Sequence, residues 1–209
     1  TMKIGVINEV SASQRNEDIV QAIREATDAE VLNFGMKHPE EEPQLTYIQT
    51  SYMAAILLGT KACDFVVSGC GTGQGFLNAV MQFPGVSCGL IADPLDAWLF
   101  SQINGGNCIS LPLNKGYGWA ADINLKYIFE KLFADPFGQG YPKSRAQSQG
   151  ESRKILSDLS RMVHKSLAEI LKNTDVEILR PVVANQAFMD AVTATSEEEI
   201  KNILKNIRP

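Results

Sequence analysis

Five short apolar runs, at residues 3–7, 30–34, 64–68, 86–92 and 107–111, alternate with stretches whose apolar residues recur at helical spacing. In residues 16–27, for instance, Ile19, Val20, Ile23 and Ala26 fall on one face. Further helices are expected over residues 45–59, 75–83, 95–103 and 119–133. A chain that alternates strand and helix in this way pairs its strands in parallel, because each return to the sheet needs a right-handed crossover. The expectation is an α/β domain: a five-stranded parallel, doubly wound sheet inside a three-layer sandwich.

Residues 135–150 crowd Gly, Pro, Ser and Gln together and read as a linker. Beyond them Ile155, Leu159, Met162, Val163, Leu167 and Ile170 keep helical spacing, which predicts one long amphipathic helix. Ser196 with Glu199 reads as a capping box that opens a last helix carrying Ile200, Ile203, Leu204 and Ile207. The expected organisation is a sheet domain over 1–134, a linker, active-site or interface segment over 135–150, and a helical extension over 151–209. About 60 residues with apolar helical faces and no strand are too few to stand alone. The extension is expected to pack on the sheet domain or on a second subunit.

Composition removes several classes of function. With 44% apolar and 21% charged residues among 209, the chain is too hydrophobic to be disordered. A net charge of −5 leaves no basic footprint for nucleic acid. No apolar run approaches the roughly 20 residues of a spanning helix, so no membrane partner is expected. Cys63, Cys70, Cys88 and Cys108 form no CxxC pair, and each adjoins an apolar stretch. That pattern suits reduced thiols in a cytoplasmic protein, with Cys63, Cys88 and Cys108 filling the core. There are only two histidines, His38 and His164.

The stretch that carries chemistry is Ser68-Gly-Cys-Gly-Thr-Gly-Gln-Gly75, placed between a strand and a helix. Glycines at alternate positions let the backbone approach a ligand and turn N–H groups toward it, so the loop is an anion site. It lacks the last glycine of a dinucleotide fingerprint and the Lys-Ser/Thr of a phosphate-binding P-loop. Around Cys70, Ser68 and Thr72 stand where a nucleophile elbow needs glycine. What remains is a thiol among anion-binding amides. Such a thiol is either a small buried residue of a structural turn or a base whose pKa the donors lower toward neutrality. In the second case the same N–H groups hold a developing enediolate, and Thr72 relays a proton between its oxygens.

Gly69-Cys-Gly-Thr-Gly-Gln-Gly75, the later Gln102-Ile-Asn-Gly-Gly-Asn107 and the five-strand order resemble the type B ribose-5-phosphate isomerases, a family that includes the galactose-6-phosphate isomerases. The resemblance covers about residues 3–155. It implies a Rossmann-like sheet and an aldose–ketose isomerase acting on a sugar phosphate without metal or cofactor. It also implies a homodimer with active sites at the subunit interface. Cys70 then moves the proton between C1 and C2, Gly71, Thr72, Gly73, Gln74 and Gly75 bind substrate, and Asn104 contacts the sugar.

Departures from the family pattern are informative. Ile103 stands where the family has the histidine that opens the sugar ring. The family's Asp-His after the first strand is Glu9-Val10, preceded by Asn8, and Glu9 is expected to hydrogen-bond substrate hydroxyls as that aspartate does. Tyr47 matches a family tyrosine. An arginine expected after the fifth strand is replaced by Asn114 and Lys115, leaving Lys143, Arg145 and Arg153 as the nearest phosphate-binding cations. A substrate that is already open-chain needs no ring-opening acid. Alternatively, His38 supplies the acid from another direction. His164 and Asp93 have structural readings, Asp93 as the cap of the next helix. Two other functions compete with isomerisation: a sugar-phosphate-binding protein that has lost catalysis, and a thiol hydrolase, which lacks a visible base.

Overall fold

Three of the five apolar runs become the inner strands of the sheet. The structure, a computed structural model, describes residues 1–207. Its strands are β1 (Lys3–Ile7), β2 (Glu30–Asn33), β3 (Phe65–Cys70), β4 (Cys88–Leu90) and β5 (Cys108–Pro112), all parallel in the order β2-β1-β3-β5-β4. β3 is buried along its whole length, as a strand covered on both faces must be. Its register sets Ile7 of β1 opposite Ser68, and Pro112 of β5 opposite Cys70.

Helices α1 (Asn16–Ala26), α2 (Tyr47–Gly59), α3 (Gln74–Val80), α4 (Pro94–Leu99) and α5 (Ala121–Leu132) are the crossovers and their closing helix. On one face Ile4, Val6, Val67 and Ile109 pack with Ile19, Ile23 and Phe129 of α1 and α5. On the other, Val66 and Cys108 pack with Met53 and Ile56 of α2 and Phe76 and Val80 of α3. The architecture is the Rossmann-like three-layer sandwich expected. From β1 the chain turns to β2 on one side and then crosses to β3 on the other. The carboxyl ends of β1 and β3 therefore flank a crevice, where open α/β sheets bind ligands.

The C-terminal part departs from the expected single long helix. It contains α6 (Ala146–Val163), α7 (Leu167–Asn173), α8 (Val176–Val183), α9 (Gln186–Thr195) and α10 (Glu198–Ile207). The expected helix breaks because Ser166 and Glu169 form a capping box that restarts it at Leu167, leaving His164 and Ser166 extended. α6 itself begins inside the stretch read as a linker. Ser196 does not open the last helix in the way its spacing suggests, since α10 starts at Glu198 and the Ser196 hydroxyl donates back to the Val192 carbonyl. Leu171, Leu179, Val183, Phe188 and Leu204 join the core beneath α2, with Phe188 packed edge-on against Phe34 at 5.9 Å. α6 buries none of its residues, and Ile155, Leu159, Met162 and Val163 are exposed along one side of it.

Candidate active site

β3 runs past its apolar stretch to end on Cys70, so the thiol stands at the carboxyl end of the central strand, 7% exposed. The preceding glycine is sterically required: a β-carbon on Gly69 would lie 2.2 Å from the Leu111 carbonyl oxygen of β5.

Beyond Cys70 the loop is held by its carbonyls. The Cys70 oxygen accepts from the amides of Gly73 (3.3 Å) and Leu113 (3.0 Å), and the Gly71 oxygen from those of Asn114 (3.0 Å) and Lys115 (2.8 Å). A peptide unit is planar and trans, so a C=O pinned on one side turns the following N–H to the other. The N–H groups so turned are those of Gly71 and Thr72, and neither finds a protein acceptor among the described residues. The Thr72 hydroxyl accepts from the Gln74 amide (3.3 Å) and keeps its own proton to donate. Two unpaired amides and a hydroxyl thus stand beside a thiol, a set able to receive negative charge on a substrate oxygen.

The neighbouring residues are tied to this loop. Glu9 is 4% exposed and its carboxylate accepts from the amide and hydroxyl of Ser11. The Ser11 carbonyl in turn accepts from the Asn114 side chain (2.9 Å), whose nitrogen lies 3.3 Å from where a β-carbon on Gly71 would stand. Asn8 is fully buried, donates to the Ala12 carbonyl (2.9 Å), and leaves its side-chain oxygen without a partner. The ring of Tyr47, the first residue of α2, covers Gly75. Asn8, Glu9, Tyr47 and the Cys70–Gly75 loop are therefore brought together at the carboxyl ends of β1 and β3. Thr72 and Gln74 also line a cavity of about 280 Å³ with Lys115, Tyr117 and Asn124; Cys70 borders the loop but does not line this cavity.

The remaining candidates gather elsewhere. Helix α4 passes into a π-helical turn, Phe100–Asn104, and leaves Asn104 exposed at its end. The Arg153 guanidinium donates to the carbonyls of Ile103 (2.8 Å) and Gly138 (3.0 Å), which takes up two of its five N–H donors. Lys143 and Arg145 form an exposed 3-10 turn, donating to the Gln139 carbonyl and the Ser148 hydroxyl. His38 sits exposed in the loop after β2, His164 caps the end of α6, and Asp93 caps α4 by accepting from Leu95 and Asp96. Sequence reasoning missed Ser11 and the bonding role of Asn114. The signal available was position alone, since both lie just beyond strand ends.

The other thiols behave as core. Burial pushes Cys63 up to about 12, and burial together with a bond to Cys88 pushes Cys108 well above the ordinary thiol range. Among the described residues no group of three or more His, Cys, Asp or Glu is arranged to hold a metal ion, and no helix is long and apolar enough to cross a membrane.

Comparison with known proteins gives the family of the chain. A crystal structure of a 4-deoxy-L-threo-5-hexosulose-uronate ketol-isomerase, complexed with a tartrate, is 44% identical and superposes with a TM-score of 0.94, covering 99% of each chain. A ribose-5-phosphate isomerase from Vibrio parahaemolyticus is 40% identical, with a TM-score of 0.94 and 99% of each chain covered. The type B ribose 5-phosphate isomerase of Trypanosoma brucei, at 21% identity and a TM-score of 0.62, shares the fold over 74% of this chain and 99% of its own. A search among curated proteins finds no match. The profile of the Ribose/Galactose Isomerase family matches residues 4–147, more than half of the chain, and by that match this protein belongs to the ribose/galactose isomerase family of sugar isomerases.

Proposed function

We propose that the protein interconverts the aldose and ketose forms of a small acidic sugar through an enediolate, with Cys70 as the base. The Cys70 thiolate takes the proton from the carbon beside the carbonyl, and the electron pair moves onto the carbonyl oxygen. The amides of Gly71 and Thr72 receive that oxygen, and the Thr72 hydroxyl relays a proton between the two enediolate oxygens. The thiol then returns its proton to the neighbouring carbon. The observation that carries the reading is the pair of unpaired amides beside the thiol, aimed by carbonyls with two donors each. Charge on the enediolate is met by these donors, so the reading routes no step through a metal ion. Gly73, Gln74 and Gly75 complete the substrate loop. Glu9 and Tyr47 contact substrate hydroxyls, and a donor from the substrate side would satisfy the unpartnered oxygen of Asn8.

The substrate is open-chain, since Ile103 offers no ring-opening acid. Its far end is an anion, the phosphate of a sugar phosphate or the carboxylate of a uronate, as the likeness to a ribose-5-phosphate isomerase and a hexosulose-uronate ketol-isomerase at 40–44% identity suggests. Asn104, with Lys143 and Arg145, completes the site of a second subunit in a homodimer. The exposed apolar side of α6 supports such a pairing. Four free cysteines suit a reducing, cytoplasmic compartment.

Incubation in deuterated water with four-, five- and six-carbon sugar phosphates and with a 4-deoxy-hexosulose uronate tests the reading and identifies the anion. Deuterium should enter the carbon beside the carbonyl with the wild type and cease with Cys70→Ala. Undiminished exchange in the variant removes Cys70 as the base. Saturable binding without exchange for every compound would favour a sugar-acid-binding protein instead.

A further inference from the structure

The bonds behind the Cys70 loop extend beyond the site. The segment that pins the Cys70 and Gly71 carbonyls, residues 113–115, is itself held from the first third of the chain. Arg15 donates from Nε to the Leu113 carbonyl (3.3 Å), and its guanidinium lies 4.2 Å from the centre of the Tyr117 ring. The Tyr117 hydroxyl donates to Asp18 (2.6 Å), and the Tyr117 amide to the Asn114 carbonyl (3.3 Å). Burial, with the bond to Asp18 added, pushes the Tyr117 phenol well above its usual range, so it stays a donor at neutral pH. Past Tyr117 the loop has little anchorage: Trp119 is fully exposed, and Gly118 has no neighbour within 4 Å of its β-position. Tyr117 is the last tethered residue before that free stretch.

We propose that Tyr117, tied down by Asp18 and Arg15, is a positioning residue that keeps residues 113–115 against the Cys70 and Gly71 carbonyls and thereby keeps the Gly71 and Thr72 amides aimed at the reacting oxygen. The inference rests on the isomerase reading above and deepens it. Tyr117 also walls the cavity beside Thr72, so the aromatic ring does two things and the hydroxyl one. Tyr117→Phe separates them, since it preserves the wall and the cation contact and removes only the bond to Asp18.

Donors aimed at a developing oxyanion act mainly in the transition state, so loosening them lowers kcat and spares KM. Removing such a donor outright costs 10²–10³, and slackening its support is expected to cost about tenfold in kcat with KM changed less than about twofold. Asp18→Ala should match Tyr117→Phe, and the double variant should be no slower than either, because both cut one bond. Asp18→Asn keeps an acceptor for the phenol and should stay within about twofold of the wild type. Wild-type kcat in both Tyr117→Phe and Asp18→Ala overturns the proposal, as does a loss confined to KM or an Asp18→Asn as slow as Asp18→Ala. Should Tyr117→Phe not fold, the Asp18 pair decides by the same criteria. Cys70→Ala, run alongside, separates the two levels. If it keeps proton exchange, the base assignment falls; if it is inactive while Tyr117→Phe and Asp18→Ala are unimpaired, only the positioning role falls.

Discussion

Gly73→Ala joins the conformation of the active loop to stability and turnover in one measurement. Gly73 has φ +75° and ψ −17°, and its amide and carbonyl are both engaged, by the Cys70 oxygen (3.3 Å) and the Ser110 hydroxyl (2.6 Å). A left-handed residue with a β-carbon costs about 1–2 kcal/mol. The new carbon would also stand 2.6 Å from the tip of Leu90, 3.1 Å from the Pro112 nitrogen and 3.2 Å from the Leu111 carbonyl carbon. Leu90 can rotate away for about 0.5–1.5 kcal/mol, but the backbone of β5 yields only if Gly73 retreats. The sum is about 1.5–3.5 kcal/mol, or a fall of about 3–14 °C in Tm for a chain of this size. The retreat drags the turn that aims the Gly71 and Thr72 amides, and misplacement near 1 Å costs about 100-fold in kcat. Gly85→Ala is the control, since Gly85 has φ +74° and nothing within 4 Å of its β-position, so it reports the conformational cost alone. Calorimetry and turnover on the two variants decide. Equal Tm losses, with kcat kept in Gly73→Ala, would refute both the crowding and the loop geometry derived from it.

Phe188→Ala tests whether the C-terminal helices are part of the sheet domain's core. Phe188 is fully buried against Phe34, so truncation should cost about 3–5 kcal/mol in denaturant unfolding while the transition stays single; two separated transitions would mean the extension folds by itself. If the proposed homodimer pairs through α6, Met162→Glu, at a position 76% exposed, should shift the protein toward monomer in sedimentation; an unchanged assembly would take α6 out of the interface.

The sheet was legible because it is written in local signals. Each strand is a short apolar run, and the glycines of the 69–75 loop announce a backbone approached closely on all sides. The C-terminal helices were harder to read. A restart at Ser166 interrupts an unbroken apolar periodicity, and Pro181 sits inside α8, where a proline argues against a helix. The support of the site was not legible at all. Tyr117 meets Asp18 across 99 positions and Asn114 meets Ser11 across 103, and no periodicity encodes a pairing at that distance. Arg153 shows the same limit from the other side. Its charge and place suggest an anion ligand, and nothing local announces that its guanidinium also donates to two carbonyls.

That clasp bears on where the chain can be cut. The family match ends at residue 147, six positions before Arg153, and a truncation there would retain every other candidate site residue. It would still remove the guanidinium that fastens Ile103, beside Asn104, to Gly138, and it would strip from α2 the partners of Tyr52 and Gly59, which are Thr174 and Leu167. The catalytic module that a family boundary marks out is thus not a module in the mechanical sense. In this protein the extension shares one core with the sheet that carries the site.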